Sequence, residues 1–548
     1  MRKGGFYMDR ERMRRNVQAF CEVGSVSHTP GERAFPAALQ KALLEIPYFK
    51  EHPQEICLFP VSGQEEDGEM VFALLPARRR TRRTLMLLSH FDVVGVDEYG
   101  ALAGAAFDPE RYTRLLREGA LRLPREAQED LDSGNYLFGR GVCDMKWGIA
   151  ADVELLHDFD AHPGELSCNL LLVSVPDEER NSCGMIGAVS RLERYAEKKA
   201  LDIAACVVSE PNISPVRDDA VRAMHVGAAG KLMPSFYCVG KETHVGEPFA
   251  GLDPNLLASA ITLEMELSPE FVDVSDSFCT PAPTCLKQSD LKNAYSVQTP
   301  CAAYAYFNVI TASSTPADVM ERMRAVAGRA FARVLREVDE KHAACERRAG
   351  GAIFRERFAP QVLTYAELCD ACRKAHGEAF DREMAAFLAQ NAQGDVRDVS
   401  IAAVAKAHSM YPDRSPLVVL FYCPPFYPHA AAPGKESLVR RACERMAALG
   451  AEVGERLAVD PCFMGLTDIS YLSLRGDVDE QALAACFPVW GSLYSLPLSA
   501  MRRLDIPFVN FGPLGKDAHR FTERVDIAYS FGKAPDLLRR LIVLLSND

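Results

Sequence analysis

The sequence contains no uninterrupted apolar stretch of the roughly 18 or more residues that a membrane-spanning helix requires, so a helical membrane protein is not expected. Its opening, MRKGGFYMDRERMRRNVQAF, is charged throughout and has no apolar core of signal-peptide length, which predicts a cytoplasmic protein. There is no long acidic or basic tail. The formal net charge of −13 is spread along the chain and argues against a nucleic-acid or anionic-membrane partner. The one dense basic run, Arg78 to Arg83, stands just before an apolar strand and reads as an exposed turn. The 17 cysteines are scattered, and none forms a CxxC pair with a matching partner. Neither a structural zinc knuckle nor a disulfide framework is predicted, and most of these cysteines read as reduced core thiols. With 48% hydrophobic and 25% charged residues, the composition is that of a folded globular protein.

At 548 residues the chain exceeds what a single core usually organises, so at least two domains are expected. The first third alternates apolar β-type runs with helical patterns, as an α/β sheet does. Three runs, Thr84 to Val94, Leu166 to Arg180 and Ile203 to Asn212, break into acids or histidine at their carboxyl ends. Ligands of open α/β sheets gather beyond those ends. SHTPGE carries a capping-box pattern at Thr29 and Glu32 with proline first in the helix, so a helix should start there and His28 reads as a boundary residue. The stretch from Val96 to Asn135 lacks clean periodicity and reads as an elaborated surface loop. Near residue 222 the pattern changes to a second sheet. Helices are then predicted over 255–266, 316–348 and 365–410, and SPLVVLFYCPPFYPH reads as a strand. The division predicted is a catalytic domain in two parts, 1–222 and 433–548, interrupted by an inserted domain over 223–432.

Candidate chemistry sits at the strand tips. His90 and Asp92 are two apart on an extended chain and share a face, so the carboxylate can fix the imidazole tautomer, as a metal-bound histidine requires. Asp144 follows a glycine-bracketed turn and precedes a helix; a helix cap and a bridging carboxylate are both open to it. Asp177, Glu178 and Glu179 crowd the end of a buried strand, which is electrostatically costly unless cations offset the repulsion. Glu210 adds another strand-end acid, and His519 follows a late glycine-rich turn. Mixed nitrogen and oxygen donors without thiolate suit zinc, with cobalt or manganese as substitutes.

In chain order, SHFDVV, GRGVCDMKWG, PDEE, SEP, GKETHVGEPFAGLDPN and GPLGKDAH resemble metallopeptidase family twenty, which includes carboxypeptidase G, aminoacylase and succinyl-diaminopimelate desuccinylase. By length and by SHFDVV, HVGEPFAGL and CPPFYPH the sequence is most similar to the arginine-utilisation branch. The resemblance implies an α/β fold: a zinc-peptidase-like catalytic domain with a mixed, mainly parallel sheet flanked by helices, and an enlarged ferredoxin-like α+β insert serving as lid and dimerisation domain. It implies two Zn2+ per chain, with Asp144 bridging them, His90 and Glu210 on one, and Glu179 and His519 on the other. Glu178 would be the general base, Asp92 would orient His90, and His244 of the insert would meet the tetrahedral intermediate. The implied substrate is an N-acylated amino acid or short peptide, and the implied assembly a homodimer through the insert.

Two features depart from the family. Relatives carry an Asp-x-Arg pattern on an insert strand, and the corresponding residues here are Asn308 and Ile310, which cannot pair with a carboxylate. Residues 349–433 are unaccounted for by the resemblance; Arg397 within them reads as surface charge, and His429 as either a cleft-mouth residue or a strand end. The rival to an amide hydrolase is a catalytically silent binding or regulatory protein that keeps the fold.

Overall fold

The computed structural model describes residues 8–61, 68–211, 221–275, 278–452, 454–474 and 478–547. The first seven residues of the opening and Asn212, the end of the third strand motif, lie outside them. The chain divides into two compact units.

The first unit comprises Met1–Ala228, Ala430–Arg475 and Pro497–Asp548. It is built on an eight-stranded mixed sheet, in the spatial order Ile56–Pro60, Glu69–Leu75, Asn169–Val175, Arg83–His90, Asp202–Val208, Phe508–Asn510, Val221–His225 and Arg456–Asp460. Arg83–His90 runs parallel to both of its neighbours. It is buried on both faces, which explains its unbroken apolar run. Leu85 and Leu87, with Leu170, Leu172, Ala205 and Val207 of the flanking strands, share a core with helices Arg10–Glu22, Lys146–Ala161 and Ala534–Asn547. Removing one such leucine side chain costs about 2–5 kcal/mol. The register matters for the site. His90 pairs with Val175, so Pro176 to Glu179 emerge beside it, and Leu88 pairs with Val208, two residues before Glu210.

The helix predicted after SHTPGE runs Pro30–Leu43, but Thr29 makes no capping bond; its hydroxyl donates to the Val26 carbonyl. Glu32 turns instead toward the strand tips. Val96 to Asn135 is not a loop. It holds a 3-10 segment, Asp97–Ala105, and helices Pro109–Arg117 and Arg125–Ser133, packed around Tyr99, Tyr112, Leu116, Leu131 and Phe138. Each helix is only nine residues long, with Tyr112 and Leu116 in the first and Ala127 and Leu131 in the second on the buried face.

The second unit comprises Ala229–His429 and Gly476–Leu496. Its sheet orders Thr284–Asp290, Ala302–Thr311, Pro234–Val239, Leu417–Tyr422 and Val362–Thr364; the short strand Gly230–Leu232 also pairs with Ala302–Thr311. Helix Pro254–Met265 and the long Pro316–Ala349, started by a Thr315–Asp318 capping box, accompany the sheet. Helices Tyr365–His376, Glu378–Gln390 and Val396–Met410 make up most of the extra stretch. The carboxyl third is not all in the first unit. Residues 476–496 join the second because Phe487 packs against Tyr422 and Phe426, and the Cys486 carbonyl accepts the Tyr422 N–H. Among the described residues no helix is long and apolar enough to cross a membrane.

Candidate metal centre

Five side chains from five separate stretches of the first unit converge. His90 ends its strand with Nδ1 3.2 Å from the Asp92 carbonyl oxygen and 3.4 Å from Asp92 Oδ1. A proton held on Nδ1 by either oxygen leaves the Nε2 lone pair free, and Nε2 lies 3.2 Å from Asp144 Oδ1 and 3.5 Å from Glu210 Oε1. The other oxygen of Asp144 faces a different imidazole: Oδ2 is 3.3 Å from His519 Nε2, which is also 3.0 Å from Glu179 Oε2. One carboxylate therefore separates two nitrogen–oxygen half-sites. Ligand atoms of His90, Asp144 and Glu179 all lie within 4.8 Å of one another.

Local sequence explains the placements. The turn before Asp144 requires Gly141, whose φ is +78° and whose missing Cβ would stand 2.8 Å from the Val93 side chain. His519 sits in the left-handed region, φ +68°, with its carbonyl oxygen accepting from Arg140 Nη2 at 3.0 Å. Glu210 is fixed through its own N–H, which donates to Asn510 Oδ1 at 2.9 Å, while Thr467 Oγ1 stands 3.4 Å from its carboxylate.

The electrostatics describe a centre rich in negative charge. Asp92, Asp144, Glu178 and Glu210 are all buried. Burial pushes the Glu178 carboxyl well above its ordinary range and that of Glu179 up to about 7, with neighbouring carboxylates adding to the shift. Burial also raises Glu210. Burial works against protonated histidine, yet Glu210, Asp144 and Asp92 lift His90 well above its usual value, and Asp144 and Glu179 raise His519 to about 11. For Asp144, burial is outweighed by the two imidazoles, which hold it below the ordinary carboxylate range. Crowded oxygen donors with two imidazole nitrogens and no thiolate fit a pair of hard-to-borderline divalent cations, which answer this charge without protons.

Further side chains surround the centre, and of these Glu32, Arg140, Glu523 and Lys146 are unmarked as site residues in the sequence. Asp92 does more than orient His90: Oδ1 accepts the Glu178 N–H at 3.0 Å, and Oδ2 accepts the Glu179 N–H at 3.1 Å and the Ser27 hydroxyl at 2.7 Å. Glu32 accepts the Asp177 N–H at 3.0 Å, so three successive amides of the Asp177–Glu179 turn rest on buried carboxylates. Arg140 and Glu523 form a buried pair, Nη1 to Oε2 at 2.6 Å. Glu523 Oε1 also receives the N–H groups of Cys143 and Asp144 at 3.3 and 3.4 Å. The pair thus grips both Asp144 and His519 from behind. Lys146, which burial lowers to about 7, donates to Ser25 Oγ at 2.6 Å and to the Phe91 carbonyl, with Nζ 3.8 Å from the Phe35 ring centroid. His28, read from sequence as a boundary residue, makes a 2.6 Å contact from Nε2 to Asp177 Oδ1.

The remaining candidates belong to the second unit. His244 is exposed, forms an isolated bridge with Gln298, and accepts the Gly246 N–H on Nδ1 at 3.0 Å. Ile310 is buried opposite Lys231. Arg397 is not free surface charge; its guanidinium is largely covered and paired with Asp395.

Comparison with known proteins agrees with this architecture. The family model for peptidase family M20/M25/M40 matches residues 86–542. The YqjN protein of Bacillus subtilis (strain 168) is 36% identical over 532 residues, 95% of this chain and 94% of that protein. The RocB protein of the same organism is 29% identical over 543 residues, 98% of this chain and 95% of that protein. A succinyl-diaminopimelate desuccinylase of Bradyrhizobium sp. is 28% identical over 217 residues, 38% of this chain and 54% of that protein. Among solved structures, the aminopeptidase PepT of Bacillus cereus ATCC 10987 shares the fold with a TM-score of 0.54 at 12% identity, over 98% of this chain and 100% of that one. Histidine and carboxylate donors at the carboxyl edge of the sheet, and a family match over residues 86–542, lead to one assignment: the chain belongs to peptidase family M20/M25/M40, metal-dependent hydrolases of peptide and amide bonds.

Proposed function

We propose that this chain is a dizinc amide hydrolase that cleaves a small N-acylated amino acid or a short peptide. The observation that carries the reading is the divided carboxylate of Asp144, with Oδ1 toward His90 and Oδ2 toward His519. His90, Asp144 and Glu210 would hold one Zn2+, and Asp144, Glu179 and His519 the other; Co2+ or Mn2+ suit the same donors. Such cations supply a water acidic enough to lose its proton near neutral pH and polarise the amide carbonyl. Glu178, in the turn that Asp92 anchors, takes the water's proton and returns it to the departing amine. His244 is assigned to the oxyanion. The Gly246 N–H occupies its Nδ1, which leaves the proton on Nε2 as a donor.

The proposal includes a homodimer through the inserted unit. Its support is a set of exposed apolar side chains, Leu256, Leu263, Leu267, Leu286 and Val297, around helix Pro254–Met265 and the edge strand Thr284–Asp290. It also includes a cytoplasmic setting, supported by 17 cysteines of which none is in a disulfide, and a substrate in arginine or amino-acid catabolism, supported by the full-length likeness to RocB. The rival, a silent binding protein with this fold, is disfavoured because every carboxylate and imidazole the chemistry needs is present. Zinc-loaded protein screened against N-acyl amino acids and dipeptides, arginine derivatives among them, decides between the two. Chelator-sensitive release of a free amine supports the hydrolase; a protein that binds two metal ions and turns over no member of the panel sinks it.

A further inference from the structure

His28 and Asp177 are both non-glycine residues with left-handed backbone, φ +62° and +65°. That conformation costs roughly 1–2 kcal/mol per residue and persists only where the surroundings enforce it. The enforcing group is Glu32, whose buried carboxylate receives the His28 N–H at 2.7 Å and the Asp177 N–H at 3.0 Å. Held this way, the two side chains meet, with Nε2 of His28 2.6 Å from Oδ1 of Asp177, while Oδ2 accepts the Cys183 N–H at 3.0 Å. The His28 side chain is 49% exposed, and with Nε2 committed to Asp177 its Nδ1–H is left as the available donor. The pairing favours the imidazolium.

The chain then wraps around Asp177. The N–H groups of Arg180, Asn181 and Ser182 approach the Asp177 carbonyl at 3.4, 3.3 and 2.7 Å, which brings the exposed Arg180 onto the turn that His28 grips. Among the described residues the Arg180 guanidinium has no carboxylate within ion-pair distance, and its charge is felt at His28. Glu178 and Glu179 lie between these two cations along the same turn.

We propose that His28 and Arg180 form an anion subsite beside the general base, which binds the free carboxylate of the substrate. Asp177 and Glu32 act as positioning residues for it. The inference rests on the amide-hydrolase reading for the substrate class, and it goes further by assigning carboxylate recognition to the first unit.

The test compares N-acetyl-L-leucine and N-acetyl-L-arginine with their α-carboxamides on zinc-loaded full-length protein, in wild type, His28→Gln and Arg180→Gln. Glutamine keeps a donor toward Asp177, and among the described residues Arg180 makes no ion pair whose loss would unfold the turn. We expect wild type to prefer acid over amide at least tenfold in kcat/KM. Each variant should raise KM for the acids about fivefold or more, with kcat within threefold and amide kinetics within twofold. An acid preference unchanged in both variants, or equal losses on acids and amides, overturns the subsite. If nothing is hydrolysed, the functional reading fails, and the subsite is judged by calorimetric binding of the same acids and amides. Tighter binding of the acids that Arg180→Gln abolishes supports it, and the lack of any such preference overturns it.

Discussion

Replacing Glu523 by glutamine strikes the metal centre from behind, without replacing any proposed ligand. The carboxylate is fully buried, bonded to Arg140 at 2.6 Å and receiving the amides of Cys143 and Asp144. Neutralising it leaves the Arg140 charge in a dry interior among neutral partners, the carbonyls of His519 at 3.0 Å and Gly95 at 3.3 Å and the Tyr99 ring with its centroid 5.3 Å away. Breaking one side of a buried pair costs about 3–5 kcal/mol. The same change loosens the supports of Asp144 and His519 together, for which a loss of about 10–100-fold in metal affinity is expected. The two effects separate in the double variant Arg140→Met/Glu523→Leu, because replacing both charges with apolar groups is often neutral or stabilising. Chemical denaturation and zinc calorimetry on the three proteins form the assay. We expect Glu523→Gln to be weak in both, and the double variant to recover stability but not zinc affinity. Wild-type zinc affinity in the double variant would refute the idea that this pair holds the centre in shape.

Asp92→Asn leaves one oxygen for the Glu178 and Glu179 amides and weakens the orientation of His90, so kcat/KM should fall about 10–100-fold with circular dichroism unchanged. Glu178→Gln should lose about 10²–10⁴ in kcat while metal analysis still finds a full complement. Asp152 lies in the core with Oδ2 unpartnered among the described residues, and burial pushes its carboxyl well above 3.8. The folded state therefore holds this proton more tightly than the unfolded chain. The resulting stability is fully present below about pH 4 and is lost by about 1.4 kcal/mol per unit as pH rises toward the folded-state pKa. Asp152→Asn should unfold at a higher temperature than wild type at pH 7, with the gap narrowing at pH 5; an equal gap at both would contradict the assignment.

The strand tips were legible because a buried parallel strand is an unbroken apolar run, and a run that stops on His90, Glu178 or Glu210 marks where chain meets ligand. Asp144 and His519 gained meaning only in company, since a capping acid or a loop histidine is ordinary alone. Glu32, Arg140 and Glu523 were illegible because their work is tertiary. Glu32 fits a local capping pattern, yet while one oxygen takes the nearby His28 N–H the other holds a turn 145 positions away, and Arg140 meets Glu523 across 383. Asp97 to Ser133 escaped for a different reason: its helices are only nine residues each, set among many charged residues, and their apolar residues bury into a small cluster of their own. His28 does stand at the helix boundary, but nothing in SHTPGE announces its left-handed backbone or its contact with Asp177.

The central claim is that Asp144 divides its two oxygens between two cations, and the direct measurement is a zinc titration of metal-stripped protein with elemental analysis, in wild type and Asp144→Ala. The account predicts two tightly bound ions per chain in wild type and the loss of tight binding at both positions in the variant. A single ion in wild type, or two ions retained unchanged without Asp144, would contradict it.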